Sequence, residues 1–103
     1  MTRKLPVLGM YMSDIAIVEL PENLTIASVE TLHEQLEPLL NAGNDVMLKA
    51  AGVTRVDTAG LQTLLAFHKA LVTRSLRLSW SAPSQPLLET AEQLGLREAL
   101  SFN

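Results

Sequence analysis

The chain of 103 residues contains no cysteine. A disulfide framework, a thiol nucleophile and a thiolate site for zinc or an iron–sulfur cluster are therefore excluded, and the composition agrees with a reducing compartment. Aromatic residues make up only 4% of the chain and charged residues only 18%. With a formal net charge of −3, the chain lacks the excess of clustered lysine and arginine that captures nucleic acid, so we expect no nucleic-acid partner.

Long hydrophobic runs are also absent. No stretch approaches the roughly 20 apolar residues of a membrane span. The apolar segment behind Arg3 and Lys4 is interrupted by Pro6 and Gly9, which makes it a poor core for a signal peptide. We therefore expect a cytoplasmic protein that does not insert directly into a membrane.

The chain does have enough apolar material for one hydrophobic core. Hydrophobic residues make up 48% of it, which is typical of a globular protein. At 11.2 kDa, surface scaling gives burial of about 65% of the extended chain's surface, which suits one domain and not two. We predict a single domain over residues 1–103, in which residues 1–12 form a short first strand or a flexible arm.

Strand and helix patterns alternate along the chain. A β-branched run at residues 15–20 predicts a strand, and apolar steps of three and four after Thr25 predict a helix that Gly43 ends. Thr25 or Ser28 is expected to cap this helix, and Pro38 to kink or shorten it. The further predicted elements are a weaker strand at residues 8–12, strands at residues 45–49 and 76–80, a helix after Asp57, a helix that Ser84 caps and Gly95 ends, and a tail that folds back onto the core.

This order of elements predicts an α/β fold. Alternating strands and helices with short connections favour parallel strand pairs joined by right-handed crossovers, with helices on at least one face of the sheet. The helix after Asp57 is expected to pack its apolar stripe on that sheet. The stripe consists of Leu61, Leu64, Leu65, Leu71 and Val72, with Phe67 and His68 on or beside it.

The densest local pattern is the turn made by Asp57, Thr58, Ala59, Gly60 and Leu61. Asp57 or Thr58 can cap the following helix, whose free N–H groups and positive dipole end lie beside them. Gly60 has no side chain and therefore permits close approach of an anion or of another part of the backbone. Two interpretations follow: a helix cap with a packing glycine, or a binding site at the helix N-terminus.

Enzymatic features are few. His33 and His68 are the only residues suited to acid–base chemistry near neutral pH, and neither has a second histidine at metal-ligand spacing. The chain has neither a G-x-S-x-G nucleophile elbow nor a G-x-x-x-x-G-K phosphate loop. We expect no enzyme activity, no metal and no cofactor. The open alternative is an active site built on Asp57, which requires one histidine within hydrogen-bond reach of its carboxylate.

Three segments carry a resemblance to a known family. They are the run V-D-T-A-G-L-Q-T-L-L at residues 56–65, the L-T pair at residues 24–25 and the run A-E-Q-L-G-L at residues 91–96. In their order and spacing they resemble the STAS domains, the family of bacterial anti-sigma factor antagonists. The resemblance implies a four- to five-stranded mixed sheet with helices mainly on one face. It also implies a non-enzymatic, regulatory function in binding protein partners.

One residue decides what the resemblance implies for the turn. The best-known members carry D-S-S-G, in which an anti-sigma kinase phosphorylates the serine before the glycine, and the unmodified form binds that kinase and frees the sigma factor. This chain has Ala59 at that position, so the usual switch cannot operate there. Thr58 is then the candidate phosphorylation site, where a phosphate would gain from the helix N-terminus and be repelled by Asp57.

The D-T-A-G form also resembles STAS proteins in two other settings. One is the accessory subunit of ATP-driven phospholipid transport systems, where the threonine helps to dock the domain on the ATPase. The other is the small STAS component of bacterial chemotaxis clusters. We therefore expect docking of an anti-sigma, kinase-like or transport-ATPase partner through the turn from Asp57 to Leu61 and the helix after it. A nucleotide or anion site at the same helix N-terminus is the alternative.

Overall fold

The computed structural model describes residues 15–102, which form three helices and five short strands. In chain order these are β1 (Ile15–Glu19), β2 (Asn23–Leu24), α1 (Val29–Ala42), β3 (Asp45–Lys49), β4 (Arg55–Val56), α2 (Thr58–Thr73), β5 (Leu78–Ser81) and α3 (Gln85–Gln93). The strand predicted at residues 8–12 lies outside the described residues. None of the described helices is long and apolar enough to cross a membrane.

The strands form one three-stranded parallel sheet and one short parallel pair. The order in the larger sheet is β1-β3-β5, with Ile17 beside Met47 and Met47 beside Ser79. The short pair joins β2 to β4, with Leu24 beside Val56. The predicted α/β fold with parallel strand pairs is confirmed. Within residues 15–102 the sheet has three strands, fewer than the four or five that the resemblance implied.

The two faces of the sheet have different surroundings. Alternate strand residues such as Val18, Val46 and Leu48 are buried in a core shared with all three helices. On the opposite face Ile15 and Ile17 are 40% and 62% exposed. Side chains alternate between the faces of a strand, so this difference shows that the described helices cover one face.

Helix α1 differs from its prediction in two details. Ser28 occupies the N-cap position, but its hydroxyl donates to the Asn23 carbonyl oxygen (2.8 Å) and does not cap the helix. Thr25 does not cap it either, since it lies three residues before the N-cap position, where its own N–H donates to the Ser28 hydroxyl (3.1 Å). Pro38 lies inside the helix, which continues to Ala42, so the predicted shortening is wrong. Leu39 and Leu40 lie beyond the proline and still pack against the core, which favours continuation.

Strand β5 begins two residues later than predicted. The Leu76 N–H donates to the Leu71 carbonyl oxygen (2.8 Å) and Ser75 has a left-handed φ of 61°, so this segment closes the end of α2. Within α2, Leu61, Leu64, Phe67 and Leu71 are buried as expected. Val72 is 60% exposed, so its predicted place on the buried stripe is wrong. It follows Leu71 directly and is therefore turned about 100° away around the helix.

Helix α3 and the C-terminal tail follow the prediction. The Ser84 hydroxyl accepts from the Leu87 N–H (3.3 Å) and Pro86 lies in the first turn. Beyond Gly95 the chain folds back and buries Leu100 and Phe102. The tail is held by the Trp80 indole, which donates from Nε1 to the Leu100 carbonyl oxygen (2.8 Å) and contacts the Phe102 ring at a centroid distance of 4.4 Å.

Candidate functional site

Asp57 caps helix α2. It has an extended backbone conformation, and its Oδ1 accepts a hydrogen bond from the Gly60 N–H (3.0 Å). This bond satisfies one of the free N–H groups in the first turn and places a negative charge at the positive end of the helix. The predicted cap is confirmed for Asp57. Thr58 is the first helical residue and not the cap.

The second carboxylate oxygen of Asp57 joins two distant loops. Its Oδ2 accepts a hydrogen bond from the Ile26 N–H (2.9 Å), in the loop between β2 and α1. Hydrogen bonds from the N–H groups of Gly60, Ile26 and Ala59 stabilise the ionised carboxylate and lower its pKa below the ordinary aspartate value. One ionised side chain therefore holds the β2–α1 loop against the start of α2.

Gly60 permits this close approach. A Cβ built on Gly60 would overlap the carbonyl carbon and oxygen of Leu24 and lie 3.0 Å from the Leu24 Cβ. The same carbonyl oxygen accepts from the Asp57 N–H (3.0 Å). Gly60 is thus required by packing between α2 and β2, as one of the two interpretations of the turn proposed. Leu61 is fully buried beside it, so it supports the turn from within the core.

Three residues of the turn region remain accessible. Thr58 is exposed, Ala59 is half-buried, and Ile26 is 70% exposed on the neighbouring loop. No side-chain hydrogen bond of Thr58 occurs within residues 15–102, so its hydroxyl is available to a partner. An exposed apolar side chain therefore lies on the loop that Asp57 joins to the start of α2.

A groove between α1 and α2 continues from this surface. It has a volume of about 570 Å³, and Ile26 and Ala59 lie among its lining residues. We refer to it as the α1–α2 groove. Its lining includes Val29, Leu36, Leu40, Ala66, Phe67 and Ala70, with His33 and Glu37 also contributing. The sequence interpretation missed it. The detectable signal is the recurrence of small residues at Ala59, Thr63, Ala66 and Ala70 along one side of α2.

In the part of the chain that the structure describes, neither histidine lies within hydrogen-bond reach of Asp57, although His33 lines the α1–α2 groove. His33 Nε2 lies 3.6 Å from Glu37 Oε1, and both side chains are exposed. His68 Nδ1 lies 3.0 Å from the Ala99 carbonyl oxygen. Within residues 15–102 neither histidine bonds to Asp57, whose oxygens are taken up by main-chain N–H groups. The same residues contain no group of three acidic or histidine side chains placed to hold a metal ion.

Comparison with protein-family models matches residues 12–101 to the family described as "Mlab, STAS domain". The chain belongs to the STAS-domain family. The match covers nearly the whole chain, in agreement with the three motif segments and with the observed α/β fold. No curated protein matches the chain. STAS domains are in general non-enzymatic regulatory modules that mediate protein–protein interaction.

Proposed function

We propose that this STAS protein is a regulatory subunit that docks on a protein partner through the start of α2, and that the partner is the ATPase of a transport system. The observation that carries the proposal is the hydrogen-bonded turn itself, where Asp57 joins two loops and Thr58 and Ile26, one on each side of the joint, are exposed. A preorganised surface of this kind lowers the entropic cost of association.

The residue Ala59 favours a transport ATPase over an anti-sigma kinase. Partner switching by an anti-sigma kinase depends on a serine at this position, and alanine offers no hydroxyl to modify. The D-T-A-G form resembles that of accessory subunits of phospholipid-transport ATPases, for which the threonine itself is a docking residue. Binding of an anti-sigma kinase or of a chemotaxis component is the second candidate, and the identity of the captured partner distinguishes them.

The alternative of a nucleotide or anion site is less compatible with the same geometry. The Gly60 N–H, one of the groups that would bind a phosphate at the start of α2, already donates to the Asp57 carboxylate (3.0 Å). Because that carboxylate is ionised, a second negative group beside it would be repelled. The turn is therefore better suited to a neutral or basic protein surface than to a free anion.

The proposal is tested by affinity capture with the tagged full chain from its native cells, followed by mass spectrometry of the bound proteins. Wild type is compared with Thr58→Glu and Ile26→Ser, which alter the exposed surface and leave the Asp57 cap and the core intact. Glu98→Lys, in the exposed tail, is the matched control. We expect wild type and control to retain an ATPase and both surface variants to lose most of it. Full retention of every partner by both surface variants would contradict the proposal.

A further inference from the structure

The length of the α1–α2 groove and the acidic residues of α1 suit the binding of one kind of secondary-structure element. We propose that it binds an amphipathic α-helix of the partner, with an apolar stripe in the groove and lysine or arginine side chains alongside α1. This inference rests on the proposed function, since it specifies the part of the partner that makes contact beside the Asp57 turn.

The length of the groove corresponds to about three helical turns. Its lining runs from Val29 to Leu40 on α1 and from Ala59 to Ala70 on α2. Each of these segments extends about 16 Å at the rise of an α-helix. A partner helix of about 11 residues would cover the same length. The volume of about 570 Å³ therefore describes an elongated channel bounded by two helices and not a compact pocket.

The walls of the groove favour a helix over an extended peptide. Both walls are helices, whose main-chain groups are bonded internally and offer no sheet edge. An extended peptide placed there would leave its own N–H and C=O groups without partners against an apolar surface, which is costly. A helix satisfies its own main chain and presents only side chains, as in helix-in-groove recognition.

The α2 wall permits close approach of a third helix. Ala59, Thr63, Ala66 and Ala70 present small side chains toward the groove, and Phe67 lies below them, 5% exposed. Interhelical distances of about 8 Å, at the short end of the usual range, require small side chains at the contact. Large partner side chains such as leucine can then insert between the two walls.

The charges beside the groove are mainly of one sign. Helix α1 carries Glu30, Glu34 and Glu37, all exposed, and contains no lysine or arginine. On α2, Lys69 is the only lysine, arginine, aspartate or glutamate. Of the three glutamates, Glu37 lines the groove, and Glu30 and Glu34 are exposed elsewhere on the same helix. A partner helix lying along α1 would therefore meet Glu37 directly and an acidic helix surface around it. Lysine or arginine there is complementary, whereas glutamate or aspartate is repelled.

Exposed charges of this kind act mainly on selectivity and association rate. All three glutamates are exposed and stay hydrated, so we expect most of the affinity to come from the apolar stripe. Their effect should weaken as salt shortens the screening length from about 10 Å at 0.1 M to about 3 Å at 1 M. Binding that depends on salt in this way is distinguishable from nonspecific hydrophobic binding, which lacks that dependence.

The test is a peptide-display selection on the purified full chain. One library encodes 16-residue helices with a fixed apolar stripe and flanks randomised among Lys, Arg, Glu, Asp and Gln. A second library has the alternating pattern of a strand. Selection is repeated on Ala66→Arg, which fills the groove from an exposed position, and on the triple variant Glu30→Lys, Glu34→Lys, Glu37→Lys. The matched control is a second triple variant, Glu22→Lys, Glu89→Lys, Glu98→Lys, which makes the same change in net charge away from the groove. Circular dichroism confirms that each variant is folded.

We expect the helical library to be enriched for net positive flanks on wild type and on the control triple variant. Enrichment should disappear on Ala66→Arg and reverse to net negative flanks on the groove triple variant. For a selected basic peptide, the groove triple variant should raise Kd by about tenfold or more at 0.05 M salt, with a smaller effect at 0.5 M. Any of three results overturns the proposal. They are enrichment of helices without a charge preference, enrichment of the strand library, and failure to find a peptide whose binding depends on Ala66.

The two proposals can fail separately. If affinity capture identifies a partner that Thr58→Glu loses but the selection finds no basic helix, the docking function stands and the groove inference is wrong. If basic helices are selected in a manner that depends on Ala66 and native capture does not depend on Thr58, the groove chemistry stands and the proposed docking role of Thr58 is wrong.

Discussion

Ile26 and Asp57 are 31 positions apart, and the Ile26 main-chain N–H donates to Asp57 Oδ2 at 2.9 Å. The other oxygen of the same carboxylate accepts from the Gly60 N–H. The loop that precedes α1 is therefore joined to the first turn of α2 by one charged side chain. Since Ile26 and Ala59 both line the α1–α2 groove, this joint also sets the geometry of one end of the groove.

Asp57 makes stability depend on pH in the acid range. Its pKa is lowered in the folded state by N–H groups of Gly60, Ile26 and Ala59, so the folded protein favours the ionised carboxylate. The resulting stabilisation is present above the unfolded aspartate value near 3.9 and is lost as the pH falls through the lower folded-state value. We expect Asp57→Asn to have a lower melting temperature than wild type at pH 7. The difference in melting temperature between the two proteins should shrink progressively below about pH 4.

Thermal melts of Asp57→Asn and wild type from pH 7 to pH 2.5 measure this dependence. Glu98→Gln removes an exposed carboxylate in the tail and serves as the control, with little change expected. A constant difference in melting temperature between Asp57→Asn and wild type at every pH would show that the ionised form is not the stabilising one.

Gly60 should not tolerate even the smallest side chain. The Cβ of Gly60→Ala would overlap the main chain of Leu24, which cannot move without disturbing the β2–β4 pair. We expect a loss of about 2–3 kcal/mol, toward the upper end of the range for overpacking. Gly52→Ala is the matched control, because nothing lies within 4 Å of its added Cβ. Urea unfolding of both variants tests the contrast, and equal stabilities would contradict it.

Local patterns in the sequence predict the helices and strands well, but they predict the tertiary contacts between them poorly. The caps at Asp57 and Ser84 are found because a cap and its N–H donor lie three residues apart. The Ile26–Asp57 bond and the contact of Gly60 with Leu24 join segments that are distant in the chain, so no periodicity reveals them. The start of β5 shifts for a related reason, since the helix closure at Leu76 outweighs the alternating pattern around it.

The candidate site likewise has one part that the sequence predicts and one part that depends on tertiary structure. The motif from Asp57 to Leu61 is visible in the sequence, but in the structure Asp57 serves as a cap and Gly60 and Leu61 serve packing. Accessible contacts come from Thr58 together with Ile26, which belongs to a different loop. The α1–α2 groove needs two helices placed side by side, and this arrangement follows from tertiary packing and not from either helix alone.

Phe102 should be essential for holding the C-terminal tail. It is 2% exposed, and its ring packs on Trp80, whose indole also bonds to Leu100. We expect Phe102→Ala to cost about 3–5 kcal/mol, as for other buried aromatic residues. Because Trp80 is the only tryptophan of the chain, its emission reports the change directly and should move to longer wavelength as water reaches the ring.

Val72→Ala provides the comparison for this variant. Val72 is 60% exposed on α2, and we expect its truncation to change stability by no more than about 0.5 kcal/mol and to leave the emission unchanged. Denaturant unfolding followed by tryptophan fluorescence gives both quantities. A Phe102→Ala protein with the stability and emission of wild type would show that the tail contributes nothing to the core.

Thr58 is the residue at which covalent regulation of docking is predicted. Its side chain is exposed in the first turn of α2, within the proposed contact surface, and the neighbouring Ala59 has no hydroxyl. A phosphate on Thr58 would add charge beside the ionised Asp57 and would have to be desolvated on docking, so it should release the partner. The proposed ATPase partner does not supply this phosphate, so a separate protein kinase must transfer the γ-phosphate of ATP to the Thr58 hydroxyl. We expect intact-mass measurement after incubation with ATP and a lysate of the native cells to show one added phosphate on wild type. Thr58→Val should gain none, and wild type without any added phosphate would establish that docking is not switched at this turn.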